Sequence, residues 1–162
     1  MPEEFTNPLN SLKKSRFDIN SFPSTSTNPP IITYHFLDSQ LYASKECGGR
    51  GNCLFLSISY QLPKSSENNH HSLRQRAVSY IEDNLEEFAP SLRGLINPKN
   101  QKPYSPKMYI EEKRNDGEYG DEPEIRALSQ VLNRTIRIYE PHYLNKSFDG
   151  FSFKIEYTSI GK

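Results

Sequence analysis

The chain has little of what several classes of protein require. It has no tryptophan, only two cysteines in 162 residues, and equal numbers of basic and acidic residues at 20 each. A formal net charge of zero gives no electrostatic basis for binding nucleic acid or an anionic membrane surface. The sequence also lacks an apolar run long enough to cross a bilayer. We therefore expect neither nucleic acid nor a membrane among its partners, and the sequence leaves the oligomeric state open.

The two cysteines, Cys47 and Cys53, are too few for a disulfide framework. Small secreted domains usually carry more, and residues 1–5 lack the apolar core of a secretory signal. We therefore expect both thiols to be free and the protein to be cytoplasmic, or to act in the cytosol of a host cell if it is an effector.

The sequence divides into a tail and one domain. Residues 1–30 contain five prolines among many serines, threonines and asparagines, which is typical of a disordered tail. Residues 31–162 are predicted to form one domain. Its helical patterns come first and its alternating strand patterns last, so we predict the α+β class.

Turn chemistry and apolar periodicity predict four helices and three strands. The predicted helices cover residues 53–62, stopped by Pro63; residues 72–90, opened by a capping box at Ser72 and ended by Pro90; a short stretch after the Ser105-Pro106 cap; and a stretch capped by Asp121 with Glu124. The predicted strands cover residues 31–34, 135–139 and 151–157.

The segment Gly51-Asn52-Cys53 indicates chemistry most strongly. A glycine-led turn places Cys53 at the start of a helix whose apolar residues share one face. Unpaired N–H groups and the helix dipole at such a position favour a thiolate, and the same N–H groups can hold an oxyanion. The pattern is equally typical of a buried cysteine packed beneath a turn, and the residues alone do not choose between the two.

Several segments, taken in order, resemble the ovarian tumour (OTU) family of papain-like thiol proteases that cleave ubiquitin chains. The resemblance covers roughly residues 44–158 and implies an OTU-like fold, with helices packed on a small, mainly antiparallel sheet. The matching segments are Gly51-Asn52-Cys53-Leu54-Phe55, Leu73-Arg74, Val78-Ser79-Tyr80-Ile81, Tyr109-Ile110-Glu111, Asp116-Gly117-Glu118-Tyr119-Gly120, residues 122–128 and residues 133–139.

The resemblance implies that Cys53 is the nucleophile that attacks the isopeptide carbonyl at the C-terminus of ubiquitin. It implies that the backbone of Arg50, Gly51 and Asn52, with Cys53, forms the oxyanion hole. The implied partner is ubiquitin, polyubiquitin or a ubiquitin-like modifier, and the implied reaction needs neither a metal nor an organic cofactor.

The sequence departs from the family pattern at two points. Arg50 occupies the position, three residues before Cys53, where the family usually has aspartate. The family's histidine follows the last strand, so it is expected at or just beyond Lys162, and the C-terminal end of the domain is expected to be incomplete. Two alternatives to a peptidase therefore stay open: an inactive OTU-like module that binds ubiquitin or another protein, and a structural domain unrelated to ubiquitin.

The four histidines of the chain offer weaker candidates for a base. His142 precedes Tyr143 but follows the strand at 135–139, which predicts a solvent-exposed loop histidine. His70 and His71 are predicted in a polar loop before a helix, and nothing in the sequence places His35 beside Cys53. A zinc site formed by the two cysteines with His70 and His71 has no familiar ligand spacing.

Overall fold

The computed structural model describes residues 32–37, 39–48 and 50–159, without the side chain of Asp149. The predicted tail at residues 1–30 lies outside this part of the chain. The elements, in order, are β1 (Ile32–Leu37), β2 (Gln40–Lys45), α1 (Cys53–Ser59), a 3₁₀ turn (Ser66–Asn68), α2 (His70–Asp83), α3 (Leu85–Arg93), α4 (Pro106–Lys113), α5 (Glu122–Val131), β3 (Ile136–Leu144) and β4 (Ser147–Tyr157). The predicted α+β class is confirmed.

The described strands form two antiparallel hairpins, β1 with β2 and β3 with β4. A two-residue turn at Asn145 and Lys146 joins β3 to β4, and both residues have left-handed φ angles, 48° and 64°. This turn geometry matches the twist of the strands that it connects. The hairpins meet where the ring of His35 packs edge-on against Phe148 and Phe151. The sequence predicted only one strand of the first hairpin and a shorter β3.

The hydrophobic core lies among the helices. Helix α2 runs through its centre and packs against α1, α4 and α5, because its apolar residues recur at helical spacing. The core residues are Phe55, Ile58, Leu73, Ala77, Val78, Ile81, Phe88, Leu92, Tyr104, Tyr109, Ile110, Ala127 and Leu128. The start of α1 is therefore anchored through Phe55, which is fully buried.

The predicted second helix is two helices in the structure, and both of its predicted ends are wrong. It begins at His70 because Asn69, not Ser72, is the cap: the Asn69 side chain accepts a hydrogen bond from the Ser72 N–H at 2.7 Å. The chain then breaks at Asn84, and Pro90 lies inside α3. A proline there removes one intrahelical hydrogen bond, but the helix continues to Arg93.

Two predicted caps are confirmed. The hydroxyl of Ser105 accepts a hydrogen bond from the Met108 N–H at 3.3 Å, with Pro106 as the first residue of α4. Asp121 and Glu124 form a reciprocal capping box at the start of α5. The Asp121 cap fixes the C-terminal end of the loop at residues 114–121, which contacts the turn before Cys53 through Gly117 and Asn52.

Candidate active site

Cys53 is the first residue of α1, as the sequence predicts, although the helix ends at Ser59 rather than near residue 62. Its thiol is free and half-buried. The N–H groups of the first turn of a helix have no intrahelical partner. The preceding residue, Asn52, does not cap them with its side chain. The turn at residues 50–53, hereafter the nucleophile turn, therefore keeps donors beside the thiol.

The side chain of Asn52 points instead towards a second loop, residues 116–120. Its Oδ1 accepts a hydrogen bond from the Gly117 N–H at 3.0 Å. Gly120 lies against Leu54, the residue after the cysteine, so closely that a β-carbon at Gly120 would be 2.4 Å from Leu54 Cδ2. The nucleophile turn and the 116–120 loop thus pack as one unit.

Arg74 of α2 joins these two segments through hydrogen bonds to both. Its Nη2 donates to Asn52 Oδ1 at 2.7 Å, to the Gly51 carbonyl at 3.1 Å and to the Glu118 carbonyl at 2.6 Å. Its Nη1 donates to the Lys113 carbonyl at 2.9 Å. The guanidinium lies 4.4 Å from the centre of the Phe55 ring, and the residue is fully buried. We call this set of contacts the Arg74 clamp.

Sequence reasoning assigned Arg74 no role at the site, although the signal was present. Arg74 shares helical spacing with Ala77, Val78 and Ile81, so its position predicts a place on the buried face of α2. A charged residue on such a face needs partners, since burying an unpaired charge is costly. The acceptors could not be identified, because they lie between 22 and 44 residues away along the chain.

The 116–120 loop is held at a further point by Lys113. The Lys113 ammonium donates to the Tyr119 carbonyl at 2.6 Å and lies 5.3 Å from the centre of the Tyr109 ring. Two buried cations, Arg74 and Lys113, therefore bind consecutive carbonyl groups of this loop. Backbone carbonyl groups thus hold the loop to buried cations, and the Glu118 carboxylate adds an ion pair with Lys99 at 2.7 Å.

Arg50, at the other end of the nucleophile turn, has an exposed side chain. It is the residue that replaces the family's usual aspartate. A guanidinium there brings positive charge near the turn, which favours an anionic group at the site.

Cys47, the other free cysteine, lies in the wall of a cavity of about 570 Å³ between the two hairpins and α1. Burial raises the pKa of the Cys47 thiol, Lys45 opposes this shift, and Glu46 and Cys53 add to it. Cys53 does not line this cavity. The cavity is therefore a neighbour of the nucleophile turn and not the place where Cys53 would react.

Among the described residues, which include all four histidines, none makes a hydrogen bond to the Cys53 thiol. His35 shares a hydrogen bond with Ser44 Oγ at 3.0 Å, and His70 Nε2 lies 3.7 Å from Asp116 Oδ1. The predicted loop positions of three histidines are wrong: His70 and His71 begin α2, and His142 lies in β3 opposite Gly150.

No group of three or more His, Cys, Asp or Glu side chains that could hold a metal ion occurs in the described ranges. Likewise, no helix of the described chain is long and apolar enough to span a membrane.

A half-buried, free cysteine on the first residue of a helix, after a glycine turn, is compatible with the nucleophile of a thiol protease. The family model described as OTU-like cysteine protease matches residues 48–161. The chain belongs to this family, and the resemblance drawn from its segments is confirmed.

Curated relatives match the chain at about the same level of identity. OTU domain-containing protein 1 of Homo sapiens is 30% identical over 88 residues, 54% of this chain and 16% of that protein. The putative ubiquitin thioesterase 232R of Invertebrate iridescent virus 3 is 30% identical over 96 residues, 58% of this chain and 11% of the relative. Ubiquitin thioesterase otu2 of Schizosaccharomyces pombe is 29% identical over 113 residues, 65% and 35% of the two chains. The chain thus spans about a third or less of each relative.

Proposed function

We propose that this domain is a ubiquitin-directed thiol isopeptidase, a deubiquitinase of OTU type, acting in the cytoplasm or in a host cytosol. Cys53 attacks the carbonyl at the C-terminus of ubiquitin, and the backbone of Arg50, Gly51 and Asn52 with Cys53 holds the oxyanion. The observation that carries the proposal is the position of the Cys53 thiol at the start of α1, on a turn fixed by the Arg74 clamp. Relatives named as ubiquitin thioesterases support ubiquitin as the substrate.

The proposed chemistry follows from this position. The Cys53 thiolate adds to the carbonyl carbon, the carbonyl electron pair moves to oxygen, and N–H groups of the nucleophile turn bind the oxyanion. Collapse of this intermediate expels the lysine amine and leaves a thioester, which water then hydrolyses. The departing amine and the attacking water both need a group that moves protons.

None of the described histidines is hydrogen-bonded to Cys53, and this observation favours a second candidate. In that candidate the domain binds ubiquitin, or another protein, without cleaving it. Arg50 also favours this candidate, because it has an exposed guanidinium where the family usually has the carboxylate of an aspartate.

Turnover with external imidazole separates the two candidates. The substrate is ubiquitin joined through its C-terminus to a fluorescent amine, and Cys53→Ala is the control. We expect slow release of the amine that increases with imidazole concentration and is absent from the Cys53→Ala variant. Binding of ubiquitin without release at any imidazole concentration would establish the binding module, and absence of both would reject ubiquitin as the partner.

A further inference from the structure

Burying the Arg74 guanidinium costs free energy, because a charged group leaves water. It is fully buried, and its hydrogen bonds go to three carbonyl groups and an amide oxygen, not to a carboxylate. Burial lowers the pKa of Arg74, and Asp116, Glu124 and Glu118 oppose this shift only at a distance. Its Nε is also buried without a hydrogen-bond partner among the described residues.

The contact between Arg74 and the Gly51 carbonyl determines the direction of one peptide group. In a trans peptide the C=O and the following N–H point in opposite directions, and the described chain has no cis peptide bond. Because the Gly51 carbonyl is bound by the buried guanidinium at 3.1 Å, the Asn52 N–H must point away from it. The Asn52 side chain is bound by the same Nη2 at 2.7 Å, so the residue is held on both sides of its α-carbon.

This orientation keeps the Asn52 N–H away from Arg74, next to a second donor in the chain. The Asn52 N–H points away from the guanidinium, and the next N–H, that of Cys53, lies in the uncapped first turn of α1. Gly51 has a φ of +79°, which lets the peptide plane take this direction without a side-chain clash. A lysine at position 74 has a single nitrogen and cannot make the same set of contacts with three separate chain segments.

We propose that Arg74 is a positioning residue that fixes the Gly51–Asn52 peptide and thereby presents the Asn52 N–H to the oxyanion formed at Cys53. This inference rests on the proposed function for its biological meaning, because it singles out one donor of the proposed oxyanion hole. The role of Arg74 itself involves only the Cys53 thiol, the Gly51–Asn52 peptide group and the tetrahedral intermediate, and it does not depend on ubiquitin.

Two small reagents test oxyanion stabilisation at Cys53 without ubiquitin. With p-nitrophenyl acetate, the Cys53 thiolate adds to the ester carbonyl, the electron pair moves to oxygen, and collapse expels p-nitrophenolate to leave acetyl-Cys53. With iodoacetamide, the same sulfur displaces iodide and no oxyanion forms. Peptide mass spectrometry assigns each adduct to Cys53 rather than Cys47. The ratio of the two rates therefore reports oxyanion stabilisation separately from thiol access.

We expect Arg74→Lys to lower the acetylation rate of Cys53 by about 10- to 100-fold while the alkylation rate stays within about twofold. This is less than the roughly 100- to 1,000-fold cost of removing an oxyanion donor, because the Asn52 N–H is displaced and not removed. Arg76→Lys is the matched control, because Arg76 lies on the same helix and, within the described residues, donates only to the Glu67 carbonyl at the surface. It should leave both rates unchanged. An equal fall in both rates, or no change in either, would overturn the inference.

Should Arg74→Lys fail to fold in thermal unfolding, Asn52→Ala tests the same clamp. It keeps the backbone N–H but removes the acceptor shared by Arg74 and the Gly117 N–H. A selective fall in acetylation is again the expected result, and parallel or absent changes contradict it. If ubiquitin is neither bound nor cleaved but the selective fall occurs, the proposed function fails while the role of Arg74 stands.

Discussion

Gly51 lies so close to the backbone of Gly117 that the nucleophile turn has no room for a side chain at position 51. A β-carbon added to Gly51 would lie 1.7 Å from the Gly117 carbonyl oxygen, which is backbone and cannot rotate away. Gly117 itself has a φ of +81°. The contact therefore joins the nucleophile turn to the 116–120 loop through backbone alone, beside the hydrogen bond between Asn52 Oδ1 and the Gly117 N–H.

Gly51→Ala should separate these two segments. We expect a loss of about 3 kcal/mol or more in the free energy of unfolding, because a left-handed φ and a backbone clash add together. Gly48→Ala is the control: its φ is +75°, but a β-carbon there meets nothing within 4 Å. It should cost only about 1 to 2 kcal/mol, the penalty of the φ angle. Urea unfolding midpoints measure both, and equal losses would show that the Gly51–Gly117 contact is not needed.

Glu124 should make stability depend on pH. Its side chain is fully buried and accepts hydrogen bonds from the Tyr109 hydroxyl at 2.8 Å and the Asp121 N–H at 2.7 Å. Burial raises its pKa from 4.5 to about 7, against the opposing effects of these hydrogen bonds and of Lys113. The folded state therefore holds a proton that the unfolded state releases at lower pH. The stabilisation is complete below about pH 4.5 and is lost as the pH rises to about 7.

The Glu124→Gln variant removes this titration. Between pH 5 and pH 8, we expect the wild type to lose up to about 3 kcal/mol more unfolding free energy than the variant does, as a shift of this size implies. Denaturant unfolding at several pH values measures the difference, and subtracting the variant removes the contributions of the histidines. Parallel stability curves for the two proteins would mean that the Glu124 carboxyl has an ordinary pKa.

The Ser105 cap should contribute measurably to the stability of α4, the helix that precedes the 114–121 loop. Replacing it with alanine leaves the Met108 N–H without its partner, so Ser105→Ala should cost about 1 kcal/mol. Ser65→Ala is the comparison, because Ser65 precedes the 3₁₀ turn but makes no side-chain cap, and it should change stability by less than about 0.5 kcal/mol. Thermal unfolding of both variants checks the prediction, and an equal effect of the two substitutions would contradict it.

The sequence predicts features whose partners lie nearby along the chain. The caps at Ser105 and Asp121 and the start of α1 at Cys53 depend on residues within one helical turn, and the structure has all three. Local rules failed where two choices compete. Asn69 and Ser72 are both good caps, and the break at Asn84 was hidden because apolar spacing continues through it.

The Arg74 clamp could not be predicted from local patterns. Its contacts to the Asn52 side chain and the Glu118 carbonyl depend on how α2, the nucleophile turn and the 116–120 loop meet in space. The sequence shows only that a charged residue lies on a buried helix face. Naming its acceptors requires the tertiary structure.

Covalent capture tests whether Cys53 is a nucleophile directed at the C-terminus of ubiquitin. The folded chain is mixed with ubiquitin carrying a thiol-reactive C-terminal group, beside Cys53→Ala and Cys47→Ala variants. We expect an adduct with the wild type and with Cys47→Ala, and none with Cys53→Ala. No adduct with the folded wild type, or an adduct that persists in Cys53→Ala, would contradict it.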